Sequence, residues 1–317
     1  EAALLGINQM VAPVPQYARI IPEETHLRNV RQLTYGGQNA EAYFSADGAE
    51  LIFQSQRDNR DCDAIYRMNA DGSNVRMVSS GRGTTTCAFL APDGQAIIYA
   101  STHLQDSVCP PRPDMSRGYV WALYKAFDVF KADPDGSNVV RLTDTDGYDA
   151  ECVFSPDGNK ILFTSVRSGD LELWLMNPDG SNPEQLTHEI GYDGGAFFSS
   201  DGQSIVWRAS RPVGDELTDY QGLLKEGLIR PRKLEIYVMN LNDRKPVKLT
   251  DNGADAVTLL GPAVHVYQGT LDPVDIPVGP WGHEIGIPWD GSEPAARNWN
   301  EAMTRSTARG GPSRGRG

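Results

Sequence analysis

A Pro-Asp-Gly or related turn recurs four times along this chain. The copies lie within Ser45-Ala46-Asp47-Gly48, Ala91-Pro92-Asp93-Gly94, Ser155-Pro156-Asp157-Gly158 and Ser200-Asp201-Gly202. Each is followed by a short apolar strand, at 51–55, 97–101, 161–165 and 205–209. A second turn follows as Asp71-Gly72-Ser73-Asn74, Asp135-Gly136-Ser137-Asn138 and Asp179-Gly180-Ser181-Asn182, weakened to Asn242-Asp243 in the last copy. Each unit closes on Leu-Thr or Val-Ser, at Val78-Ser79, Leu142-Thr143, Leu186-Thr187 and Leu249-Thr250, and an extra copy stands at Leu33-Thr34. Gly takes the left-handed conformation without steric cost and Asp bonds back to the local backbone, so both suit hairpin turns. The first turns are 46, 64 and 44 residues apart, which sets a unit of about 44 residues with insertions at 102–126 in the second copy and 212–233 in the fourth. Four short antiparallel strands in a unit of this length describe a β-propeller blade.

The repeat wording resembles a known family. FSPDGNKILFTS (154–165), LWLMNPDGSNPEQLT (173–187) and VFKADPDGSNVVRLT (129–143) are similar to the WD-like propeller repeat of the TolB-like bacterial family. The same repeat is used by many exported bacterial proteins and by propellers of prolyl-oligopeptidase-type peptidases. The resemblance covers residues 27–255 and implies an all-β fold of four-stranded antiparallel blades, of a six-bladed family type, with about four blades recognisable here. It also implies that the strand His26 to Thr34 latches onto the last blade. The expected organisation is an N-terminal extension (1–25), the blades (26–255) and a non-repeat C-terminal segment (256–317). That segment is either a divergent, partly disordered extension or, the preferred reading, the product of a frameshift near Asp255. TolB's separate N-terminal α/β domain is not recognisable, and 1–26 is too short to hold it.

Composition narrows the role. Asp and Glu number 42 against 29 Lys and Arg, a formal charge of −13. That disfavours nucleic acid and anionic membranes as partners. No apolar run approaches the 18 or so residues that cross a bilayer, so no membrane insertion is expected. The chain begins at Glu1, as a mature exported chain or a fragment does. The four Cys have no CxxC spacing, which removes zinc ribbons and thioredoxin-like motifs. With the blades in register, Cys62 and Cys109 fall in equivalent loops and form the expected disulfide, while Cys87 and Cys152 read as small core residues matching Ala42 and Ala196.

The inner strands of successive blades converge on the channel, so polar residues at their starts mark a candidate site. Asn39, Glu41, Asp149, Glu151 and Asp193 are expected to ring one mouth, with His188 on the rim, and to offer a cation or a basic peptide a set of carboxylates. The alternative is that they face a water-filled channel and do nothing further. Asp144-Thr145-Asp146-Gly147-Tyr148-Asp149 has alternating oxygen ligands but lacks the rest of a calcium loop, so calcium is a minor possibility and no other cofactor or metal is expected. HExxH is incomplete after His188 and His283, and the GxSxG at 311–315 has no acid or His after it. The insertions emerge on the same face. Arg112 in a stiff Pro-rich run, Tyr119, Trp121 and Tyr220 are the partner-binding candidates, the last on an expected helix spanning 215–225. The expected function is a non-catalytic, exported or periplasmic scaffold for a protein or peptide partner. The alternative is the propeller of a prolyl-oligopeptidase-type peptidase or a channel-site enzyme.

Overall fold

The computed structural model describes residues 32–251 and two short strands beyond them. The expected extension at 1–25, the first residues of the latch strand and most of 256–317 lie outside the described residues. Four antiparallel four-stranded sheets follow one another as blades. Blade 1 is β1 (Gln38–Phe44), β2 (Glu50–Gln56), β3 (Ala64–Asn69) and β4 (Arg76–Met77). Blade 2 is β5 (Thr85–Leu90), β6 (Ile97–Ser101), β8 (Asp128–Ala132) and β9 (Val140–Arg141), with β7 (Trp121–Ala122) in its insertion. Blade 3 is β10 (Asp149–Phe154), β11 (Ile161–Ser165), β12 (Glu172–Met176) and β13 (Glu184–Gln185). Blade 4 is β14 (Asp193–Phe198), β15 (Ser204–Ala209), β17 (Glu235–Asn240) and β18 (Val247–Lys248), and its insertion carries α1 (Asp215–Lys225) and β16 (Leu228–Ile229). A last hairpin pairs β19 (Thr258–Leu260) with β20 (Val264–Val266).

The repeated residues have repeated physical jobs. In the first turn the Asp47 carboxylate accepts from the Ser45 hydroxyl (2.6 Å) and the Ala49 amide (3.0 Å), and Asp157 and Asp201 do the same with Ser155 and Ser199. These bonds hold all three carboxyls below the usual carboxylate range. The closing Thr or Ser has a different task. Its hydroxyl accepts the N–H of the second residue of the third strand, from Ile65 to Ser79 (3.0 Å), Val129 to Thr143 (2.9 Å), Leu173 to Thr187 (2.8 Å) and Ile236 to Thr250 (2.9 Å). A buried donor that the two-residue outer strand does not reach is thereby satisfied.

Blades stack through their apolar faces. Ile52 and Ile65 pack on Ile97, Tyr99 and Phe130, then Ile98 and Val129 on Ile161, Phe163 and Met176, then Leu162 and Leu173 on Ile205, Trp207 and Met239. Each such side chain contributes about 1.5–3 kcal/mol of burial. The second turn fixes the stacking distance. A Cβ on Gly136 or Gly180 would collide with the carbonyl of Val78 or Leu142, the closing residue of the blade before. Gly72 of blade 1 stands in the same relation to Leu33, whose carbonyl is 3.2 Å from such a Cβ. Leu33 therefore occupies the closing-strand position of a blade preceding blade 1, which is the place of the latch.

Candidate functional site

Every inner strand breaks register at one level. The shifts fall between Ala40 and Tyr43, Thr86 and Phe89, Ala150 and Val153, and Gly194 and Phe197. The residue in each bulge has a positive φ: Glu41 49°, Cys87 53°, Glu151 55° and Gly195 58°. Three of these are not glycine, and such strain persists only where the surroundings hold it. At two of the bulges a neighbouring blade does the holding. The Cys87 amide donates to Gln54 Oε1 of blade 1 (3.1 Å), and the Gly195 amide donates to Glu151 Oε2 of blade 3 (2.8 Å). The hydroxyls of Thr164 (2.7 Å) and Tyr192 (3.0 Å) also donate to Glu151.

The bulges form one electrostatic cluster. Burial, reinforced by the charges of Glu41 and Glu151, pushes the Cys87 thiol well up and keeps it protonated. Burial and then Glu151 raise the hydroxyls of Tyr148 and Tyr192 in the same way. The Arg208 guanidinium lies over Gly195, 2.7 Å from where a Cβ would stand. Two residues further along the strands, the rings of Tyr43, Phe89 and Phe197 close together at 5.6–6.3 Å between centroids. The register also corrects one alignment: Cys87 is the counterpart of Glu41 and Glu151, and only Cys152 matches Ala42 and Ala196.

Asn39, Asp149 and Asp193 have a different place from the one expected. Asp149 and Asp193 are completely buried and paired with Arg167 (2.9 Å) and Arg211 (2.8 Å), while Asn39 accepts from Arg57 (3.0 Å). Each guanidinium also covers aromatic rings of its own blade: Arg57 over Phe53 and Tyr66, Arg167 over Phe163 and Trp174, Arg211 over Tyr237. These are blade clamps, because the carboxylates are closed off from solvent and matched by a cation. Burial outweighs Arg211 and raises Asp193 to about 6. Blade 2 puts Thr85 and a buried His103 at these positions, with the ring on Phe130 (4.4 Å) and its pKa lowered by burial. The sequence carries a signal that was missed, since acid or amide and Arg lie 18 residues apart in three blades. In the calcium-like loop Asp149 is held by Thr145 and Arg167, and no group of three His, Cys, Asp or Glu among the described residues is placed to hold a metal.

No family model matches the chain. A protein TolB homolog of Chlorobium luteolum is 26% identical over a 156-residue alignment covering 42% of this chain and 35% of that protein. Among solved structures, a putative TolB from Agrobacterium tumefaciens superposes with TM-score 0.54 at 21% identity, over 72% of this chain and 74% of that one. TolB from Acinetobacter baumannii gives TM-score 0.52 at 17% identity, over 73% and 50%. The chain is a TolB-like β-propeller. Its match spans about a third of the length of the curated relative.

The TolB-like propeller carries a cap over this face. Although they are some 100 residues apart, the two insertions pair with each other, β7 with β16, and are bridged by Arg117 and Glu226 (2.5 Å). Leu123, Tyr220, Ile229 and Leu234 of the insertions pack on Leu171 and Tyr192 of the propeller. The helix forms over the expected residues, with acids in its first turn and Lys225 in its last, matching the helix dipole. It buries Tyr220, whose hydroxyl donates to Asp170, so Tyr220 anchors the cap and is not available to a partner. Trp121 is half-buried, edge-on to Tyr192 at 5.8 Å, and its indole N–H donates to Tyr119 (2.8 Å). Tyr119, Arg112 and His188 are exposed. Cys62 and Cys109 are bonded and tie the second insertion to blade 1.

Proposed function

We propose that this TolB-like propeller is an exported, non-catalytic scaffold that binds a basic protein or peptide segment at the channel mouth. The observation that carries the reading is the placement of Glu41 and Glu151 on strained bulges, both near enough to act on the Cys87 thiol, with Glu151 tied to the Gly195 amide of the next blade, a pair of carboxylates in an acidic chain. Arg208 beside them gives the site a second sign of charge and hence a preferred orientation for the bound chain. Exposed Tyr119 on the cap extends the surface with an amphipathic ring of the kind favoured at interfaces. The Cys87 thiol, held protonated, serves packing in this reading and not nucleophilic attack. The resemblance to TolB proteins supports a periplasmic location.

Selection of peptides from a random display library on the purified protein tests the binding. Lys- or Arg-containing peptides are expected at one per chain, and Glu41→Gln or Glu151→Gln, each with an unchanged circular dichroism spectrum, is expected to weaken them about tenfold. Selected peptides that bind both variants as tightly as the parent would exclude the channel mouth. Release of the protein by osmotic shock of cells carrying the full gene tests export.

A further inference from the structure

The bulge of blade 2 is not served by its own blade. On the second strands, the residues opposite the bulges are Gln54, Ala100, Thr164 and Arg208, paired with Ala40, Thr86, Ala150 and Gly194. Blade 3 uses its own Thr164, whose hydroxyl donates to the bulge carboxylate of Glu151 (2.7 Å). Blade 2 has Ala100 at this place, which offers no polar atom, although its bulge residue Cys87 is a non-glycine at φ 53°. Gln54 of blade 1 reaches across instead. Its Oε1 accepts both the Cys87 amide (3.1 Å) and the Thr86 hydroxyl (2.7 Å), while its Nε2 donates to Asp63 Oδ2 (3.0 Å). Asp63 fixes which way round this amide lies, because an ionised carboxylate only accepts and so takes the NH2 end. The main chain of Asp63 is tied to the same inner strand, its carbonyl accepting the Thr85 amide (3.0 Å) and hydroxyl (3.2 Å). Beyond the bulge, the Cys87 thiol hydrogen-bonds to the Glu41 carboxylate.

We infer that Gln54, oriented by Asp63, is a positioning residue of the channel mouth: it holds the Cys87 bulge, and thereby Glu41, so that a basic segment meets the carboxylates in one geometry. This role rests on the reading of the mouth as a site for basic segments. Gln54 bonds to neither Glu41 nor Glu151 and acts through Cys87.

Hydrogen exchange of the Cys87 amide, relative to the amides of blade 3, reads the bulge. Calorimetric titration with a Lys- or Arg-containing peptide selected on the parent protein reads the mouth. Gln54→Met keeps the side-chain length and removes the acceptor, and is expected to speed Cys87 exchange about tenfold and weaken the peptide about fivefold. Gln54→Glu alone sets two carboxylates against each other and is expected to impair both readouts. Adding Asp63→Asn to Gln54→Glu exchanges donor and acceptor between the two positions and restores the parent's charge, so both values are expected to return to within about twofold of the parent. A side chain that merely filled space would tolerate Gln54→Glu alone. Unchanged Cys87 exchange in Gln54→Met overturns the inference, as does faster exchange with undiminished peptide affinity. Peptides that also ignore Glu41→Gln and Glu151→Gln would remove the site itself, whereas losses in those two variants beside an unaffected Gln54→Met remove only the role of Gln54.

Discussion

At the residue scale, buried acids in this propeller divide by whether a cation reaches them. Asp149 is ion-paired with Arg167, whereas Glu172, 3% exposed on β12, is bonded by the Thr187 hydroxyl, feels Arg211 only weakly and lies near Asp193 and Asp170. Burial first, then those two acids, push Glu172 up to about 8. An acid whose folded pKa lies above its unfolded value favours the folded state only while protonated. Its contribution is complete below about pH 4.5 and is lost as the pH rises to about 8. Asp63 and Asp193, both raised to about 6, start the same decline earlier. Glu172→Gln keeps the shape and removes the charge. Scanning calorimetry from pH 4.5 to 9 is expected to show equal Tm values for variant and parent at the acid end, and a variant several degrees more stable at pH 9. Parallel curves would show that Glu172 does not titrate in this range. Which acids are clamped was not legible locally, because the answering Arg comes 18 residues later, in the loop after the next strand.

At the element scale, legibility followed periodicity. The Asp-Gly turns and closing Leu-Thr pairs located every blade, since each is a local solution to a backbone requirement. The helix at 215–225 was also readable, from first-turn acids and apolar residues at helical spacing. The pairing of β7 with β16 was not, because two-residue strands have no period and their partners lie in different repeats. The Cys62–Cys109 bond was readable only once the blades were aligned, and it now has a measurable role. It closes a loop of 47 residues, for which the chain-entropy argument gives about 4 kcal/mol. Cys62→Ser with Cys109→Ser is expected to lower stability by about 2–4 kcal/mol in urea titrations without changing the sheet content seen by circular dichroism. An unchanged midpoint would mean that blade 1 and the second insertion are held together equally well by their other contacts, such as Arg112 with Gln56.

At the scale of the whole molecule, the repeat made the order of the blades legible but not how the first meets the fourth. Tyr43 and Phe197 occupy the same register position, two residues past their bulges, 154 residues apart in the chain. Their rings meet at 5.6 Å, and Phe89 touches both, whereas blade 3 offers Val153 at this position. No alternation pattern reports a contact across the axis, since every inner strand reads alike. The contact implies that blades 1 and 4 are energetically coupled without sharing a sheet. A double-mutant cycle with Tyr43→Leu and Phe197→Leu measures that coupling, expected at about 1 kcal/mol from aromatic pairing. Leu keeps apolar volume at both places, so the cycle isolates the ring–ring term from cavity formation. A cycle of Tyr43→Leu with Tyr237→Leu, a ring that packs on Trp207 at the far side of blade 4, is expected to be additive. Additivity in the first cycle as well would mean that the two blades are joined only through blades 2 and 3, and that the aromatic group does not close the centre of the ring.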